Sequence, residues 1–217
     1  MDDWEERAAR AAARHDDGAA RLPAEPDELQ RQLTRMGNAA WAAGLSLLMV
    51  GRDDEARAWL LRAAKRYRES WPDAPPGSWG RPIGALKSRL IAGDLDGARA
   101  DASWALDAGA EESESPIGRY AAALARLVLS DDPAAGPLAA TLSGREDFPR
   151  AVADSLGALA VGDGVGYESS IRALLEDFEQ RDEFLEDVPV ADTVLALQRL
   201  AAARKLSVEL ASRMLPT

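Results

Sequence analysis

The stretch GRDDEARAWLLRAA, Gly51 to Ala64, decides the architecture. Its glycine is the residue that most readily ends a helix in the left-handed conformation. The acids behind it suit the positive end of a new helix, and an alanine- and leucine-rich run follows. GDLDGARADASWAL, Gly93 to Leu106, repeats that order, and GDGVGYESSIRALL, Gly162 to Leu175, repeats it more loosely. What recurs is a place where one helix stops and the next begins.

Outward from these starts, alternating β-branched runs are absent and alanine and leucine dominate, so helix is favoured nearly everywhere. The spacing predicts helices over 2–15, 26–50, 53–70, 83–92, 95–108, 117–129, 134–142, 148–161, 167–182, 190–204 and 208–214. Pro26 opens the second, with Asp27 and Glu28 at its positive end. WPDAPPGSWGRP, Trp71 to Pro82, reads as an extended loop, with four prolines and two glycines. Breaks fall near Gly51, Gly93, Ser130, Gly162 and Lys205. Intervals of about 30–45 residues are those of stacked helical repeats. The fold expected is all-α, a right-handed α–α superhelix of roughly five antiparallel hairpins. Residues 1–25 form a leading helix and loose linker, and 26–217 a single repeat domain.

The chain here resembles the tetratricopeptide repeat family. Within Asn38–Tyr67, Gly44, Gly51, Ala56 and Ala63 fall at that family's small-residue spacing, with Trp41 next to its usual aromatic position. In the second unit Gly93, Ala98 and Ala105 match, while Leu86 replaces the small residue. The resemblance implies that the first helix of each hairpin lines a concave face. Asn38, Trp41, Leu45, Leu48 and Met49, then Ile83 and Lys87, would stand there; the alternative is that other repeats cap the face and bury them all.

Composition narrows function by exclusion. The 217 residues contain no cysteine, which removes disulfides, thiolate metal sites and cysteine nucleophiles. His15 is the single histidine, in a segment expected to be mobile, so histidine-rich zinc sites and a serine–histidine–acid triad lose their basis. A formal charge of −11 disfavours nucleic acid, because phosphate binding needs clustered cations. The opening MDDWEERAARAAARHDD carries acids and does not read as a secretory signal. WAAGLSLLMV, Trp41 to Val50, is far shorter than the ~20 residues that span a bilayer. No membrane association and a cytoplasmic location are the expectation. Arginine outnumbers lysine heavily and acids abound, which suits a GC-rich genome and either a salt-rich cytoplasm or an ordinary acidic bacterial protein.

Apparent chemical motifs dissolve on inspection. GDLDGARAD offers Asp94 and Asp96 but neither a third ligand nor the closing glutamate of a calcium loop, so Asp94 reads as a helix cap. GDGVGYE lacks the last glycine of a dinucleotide loop and follows a helix where a strand is required. Adjacent acids such as Glu111-Glu112 and Asp131-Asp132 read as solvated surface. No catalytic, metal or cofactor residue is assigned.

Aromatic and charged positions give the binding candidates. Trp79 and Arg81 border the proline-rich loop, where a tryptophan–arginine pair would anchor a partner; the alternative is that Trp79 plugs the space between hairpins. In Asp177–Leu206, Asp177 and Arg181 are spaced for a helical ion pair, and Asp192 and Arg199 share a helix face as a charged patch. That C-terminal third resembles the bacterial immunity-49 family, through Phe178, Leu195, Leu200, Ala201, Arg204, Leu206, Val208, Leu215 and Pro216. It departs from that family in having no histidine near Phe178. The resemblance implies a non-catalytic toxin-neutralising protein.

The function expected is therefore binding of another protein, as scaffold or immunity-type partner, with a basic protein favoured by charge. Partner-binding candidates are Trp41, Trp79, Arg81, Lys87, Asp192 and Arg199. The alternatives are a hydrolase with carboxylates converging in a helical cleft and a homodimer joined through the apolar ends of the array.

Overall fold

The computed structural model describes residues 3–216, and among these the regular structure is helical throughout. In chain order the helices are α1 (Trp4–Ala20), α2 (Pro26–Leu48), α3 (Asp53–Glu69), α4 (Gly80–Ile91), α5 (Leu95–Asp107), α6 (Pro116–Val128), α7 (Asp132–Ser143), α8 (Arg150–Val161), α9 (Gly164–Glu179) and α10 (Asp192–Ala203). A single 3₁₀ turn, Leu185–Asp187, precedes α10. Asp2, at the start of the first expected helix, lies outside the described residues.

All five expected breaks adopt the left-handed conformation: φ is +71° at Gly51, Gly93 and Gly162, and +60° at Ser130 and Lys205. At each, the following amide reaches back to a carbonyl one turn inside the helix, from Arg52 to Leu47 and from Asp94 to Arg89, for example. This closes carbonyls that a helix end leaves open. After four of the breaks the next helix begins at once. After Lys205 it does not: residues 206–216 run without a helix, because Met214 is drawn down to pair its carbonyl with the Ala191 amide. The loop before α4 is also shorter than expected, since Gly80, Arg81 and Pro82 already form that helix's first turn.

Each helix packs on the next in sequence from α1 to α9, and α4, α6 and α8 also touch one another in turn. Small residues make these approaches close. Tyr67 is held between Gly37 of α2 and Gly84 of α4, where a methyl group would come within 2.9 and 2.7 Å of the ring. Its hydroxyl donates to Asn38 Oδ1 at 2.9 Å. Asp101 of α5, at 0 % exposure, accepts from Arg68 of α3 at 2.6 Å and from Arg89 of α4, so one buried carboxylate joins three helices. His15, expected in a mobile segment, is buried in α1 with its ring edge-on to Trp59 of α3.

The last forty or so residues decide the interior. α10 packs against α4, α8 and α9, while the 3₁₀ turn lies on α2. Most of α10 is buried, and Arg204 at its end reaches Asp132 and the Leu127 carbonyl. The face formed by α2 and α4 is therefore covered by the chain's own C-terminal segment.

Candidate functional site

Trp41 comes from α2, Arg81 and Lys87 from α4, and Asp192 from the start of α10. All four line one cavity of about 390 Å³, together with Thr34, Asn38, Tyr67, Ser78, Gly80, Ile83, Gly84 and Leu185. Its mouth lies beside exposed Gly80 and Leu185, and its walls are largely Trp41, Ile83 and the Tyr67 ring. Burial pushes the Tyr67 phenol far above its ordinary value, with the Asp192 and Glu186 charges adding to it, so it stays protonated.

Three charges stand in this cavity. Lys87 Nζ meets Asp192 Oδ2 at 2.5 Å and donates to Thr193 Oγ1 at 3.0 Å, so these two charges neutralise each other. Arg81 differs. It is only 8 % exposed, its Nε donates to Thr34 Oγ1 at 3.1 Å and its Nη2 to Gln30 Oε1. Its Nη1 is buried without a hydrogen-bond partner, and no carboxylate pairs with it among the described residues. Desolvation lowers the Arg81 pKa from its ordinary value, though a guanidinium stays charged.

The other two candidates lie elsewhere. Trp79, expected on an accessible loop, is buried: its ring is 5.5 Å from Trp71, which in turn meets Trp104 edge-on at 5.6 Å, and its indole nitrogen abuts Gly118. It fills space between hairpins. Arg199 is exposed beside Asp53, Asp54 and Arg57, so it forms no patch with Asp192, which turns inward to Lys87. Arg181 likewise lies over the Phe178 ring at 3.8 Å instead of pairing with Asp177. Leu45, expected either on the concave face or buried there by neighbouring repeats, is fully buried.

No family model, curated protein or solved structure matches this chain.

A second hollow, of about 1100 Å³, was not legible beforehand. α8 packs on α7 to one side and α9 to the other, and all three line it. Gly136, Ala140, Gly157, Ala160, Ser169 and Ala173 keep its walls low, and Val161 stands in it at 76 % exposure. Four aspartates line it against a single arginine, Arg150. Three of those aspartates already have work: Asp132 binds Arg204, Asp154 accepts from Ser143 at 3.0 Å and pairs with Arg150, and Asp163 caps the Gly166 amide at 3.0 Å. No group of three or more His, Cys, Asp or Glu side chains suited to a metal occurs among the described residues. Nor, among those residues, is any helix long and apolar enough to cross a membrane.

Proposed function

We propose that this chain is a non-enzymatic, tetratricopeptide-like array, wound as a right-handed superhelix, that binds a helix of a basic protein in the groove between α7 and α9. The observation that carries this reading is the groove itself. Its glycine and alanine walls allow a helix to approach closely, bare Val161 supplies apolar contact, and Asp163 and Asp177, wall carboxylates with no basic partner among the described residues, favour a cationic partner. The covered face of α2 and α4 leaves the outer groove as the larger accessible hollow. A basic toxin or the client of a cytoplasmic scaffold both fit that chemistry.

The test uses two synthetic amphipathic helices with the same leucine–alanine face, one flanked by lysine and one by glutamate, titrated into the purified protein. The lysine peptide should bind, weaken with added salt, and lose at least about tenfold in affinity on Ala140→Trp, which fills the groove while leaving the melting temperature unchanged. Equal binding of both peptides, or indifference to Ala140→Trp, defeats the proposal. Self-association abolished by Ala140→Trp would make a second copy the occupant instead.

A further inference from the structure

Arg81 is a buried charge with no counter-charge among the described residues. A guanidinium removed from water costs several kcal/mol unless an opposite charge compensates it. Here the two acceptors, Gln30 Oε1 and Thr34 Oγ1, are neutral, and Nη1 has none. Its position adds to the strain. Arg81 belongs to the first turn of α4, where backbone amides already make the end of a helix positive. That turn contains no acid, and no side chain caps it. A cation at a helix N-terminus is the reverse of the favourable arrangement. The Arg81 and Ile83 amides already donate to Ser78 and Trp79 and Pro82 has none, so an anion placed there would offset the dipole's field and answer the guanidinium directly.

The cavity beside it is open and of ligand size. Pockets of a few hundred Å³ with mainly apolar walls and a few convergent polar groups are where small molecules bind, and this one measures about 390 Å³. Of its charged groups, Lys87 and Asp192 cancel, leaving a net charge of one positive unit from Arg81. A singly charged anion balances that; a phosphate dianion overshoots it. The remaining walls, Trp41, Ile83, the Tyr67 ring and Leu185, call for an apolar body behind the charge.

We infer that the cavity between α2, α4 and the start of α10 binds a small organic monocarboxylate, its carboxylate on the Arg81 guanidinium beside the positive end of α4 and its apolar body against Trp41 and Ile83. Thr34 and Gln30 are then positioning residues, holding the guanidinium by Nε and Nη2. This site is separate from the α7–α9 groove, so either can fail without the other.

4-Phenylbutanoate and its amide, 4-phenylbutanamide, test this on the intact protein, with inorganic phosphate as a third probe. Calorimetry should show the acid binding with a Kd on the order of 1 mM and the amide at least about tenfold weaker. The Arg81 Nε–H resonance should shift with the acid in proportion to occupancy. Arg81→Gln, checked for native helicity, should lose about tenfold or more in affinity for the acid. The acid–amide comparison on the wild-type protein stands even if that variant does not fold. Equal binding of acid and amide, no binding of the acid below about 10 mM, a preference for phosphate, or an unmoved Arg81 resonance overturns the assignment.

Discussion

Removing Lys87 or Asp192 alone should unlock α10 from α4, and removing both should not. Their charged atoms are 2.5 Å apart, with only 14 % and 9 % of the two side chains exposed. Breaking a pair this buried leaves its partner's charge uncompensated, a cost of about 3–5 kcal/mol, whereas a surface pair contributes ~0–1 kcal/mol. Against a total stability of about 5–15 kcal/mol, that is about a fifth or more. For a chain of this size each kcal/mol moves the melting temperature by roughly 2–4 °C, so Lys87→Met should lower it by about 6–20 °C. Asp192→Leu should cost somewhat more, because Asp192 also lies in the first turn of α10, where a negative charge contributes a further ~0.3–1 kcal/mol. Two apolar side chains facing each other leave no stranded charge, so the double variant should recover most of the loss. Urea denaturation followed by circular dichroism gives the four corners of the cycle. If either single variant costs less than about 1 kcal/mol, or the two losses simply add, the pair is behaving like a surface contact and the closure of α10 on α4 is wrong.

Two glycine substitutions should go in opposite directions. Gly84→Ala brings a methyl within 2.7 Å of the trapped Tyr67 ring, so overpacking of about 1–3 kcal/mol should outweigh a helix-propensity gain of about 1 kcal/mol. Gly157→Ala, in mid-α8, comes no nearer a neighbouring helix than Ala139 Cβ at 3.8 Å and should stabilise by about 0.5–1 kcal/mol; thermal melts read both. Ser130→Gly should also stabilise, by about 0.5–1 kcal/mol, since φ of +60° is strained for serine and natural for glycine. On acidification, Asp94 and Glu111 should set the loss of stability. Burial raises Asp94, but the Gly97 amide and Arg89 together hold it below the usual range; the hydrogen bond from Arg126, then its charge, does the same for Glu111. Their stabilisation is complete above the unfolded carboxylate value near about 4 and is lost as pH falls through the lower folded values. Asp94→Asn and Glu111→Gln should flatten a stability profile measured below about pH 4, and an unchanged profile would refute this.

How much of this was legible beforehand depended on the range of the interaction. The five helix breaks are local: three glycines, Ser130 before an acid pair and Lys205 each end a helix because left-handed backbone at one position closes that helix's own carbonyls. The helices themselves follow from alanine and leucine over short windows, which is why their bounds nearly match expectation. The failure over 208–214 is of the other kind. Val208 and Met214 are compatible with a helix, but Gln198 binds the Val208 carbonyl and Ala191 the Met214 carbonyl, holding the segment out of a helix.

The candidate residues divide in the same way. Trp41, Arg81, Lys87 and Asp192 were each conspicuous alone, yet nothing in the order of residues says that position 192 returns to position 87. Composition and period determined that this chain would be helices, where each would stop, and that small residues would let neighbours touch. Only the tertiary structure decided which face those helices leave open, because that depends on where a long return segment finds its lowest free energy, and on a lysine and an aspartate more than a hundred residues apart finding each other.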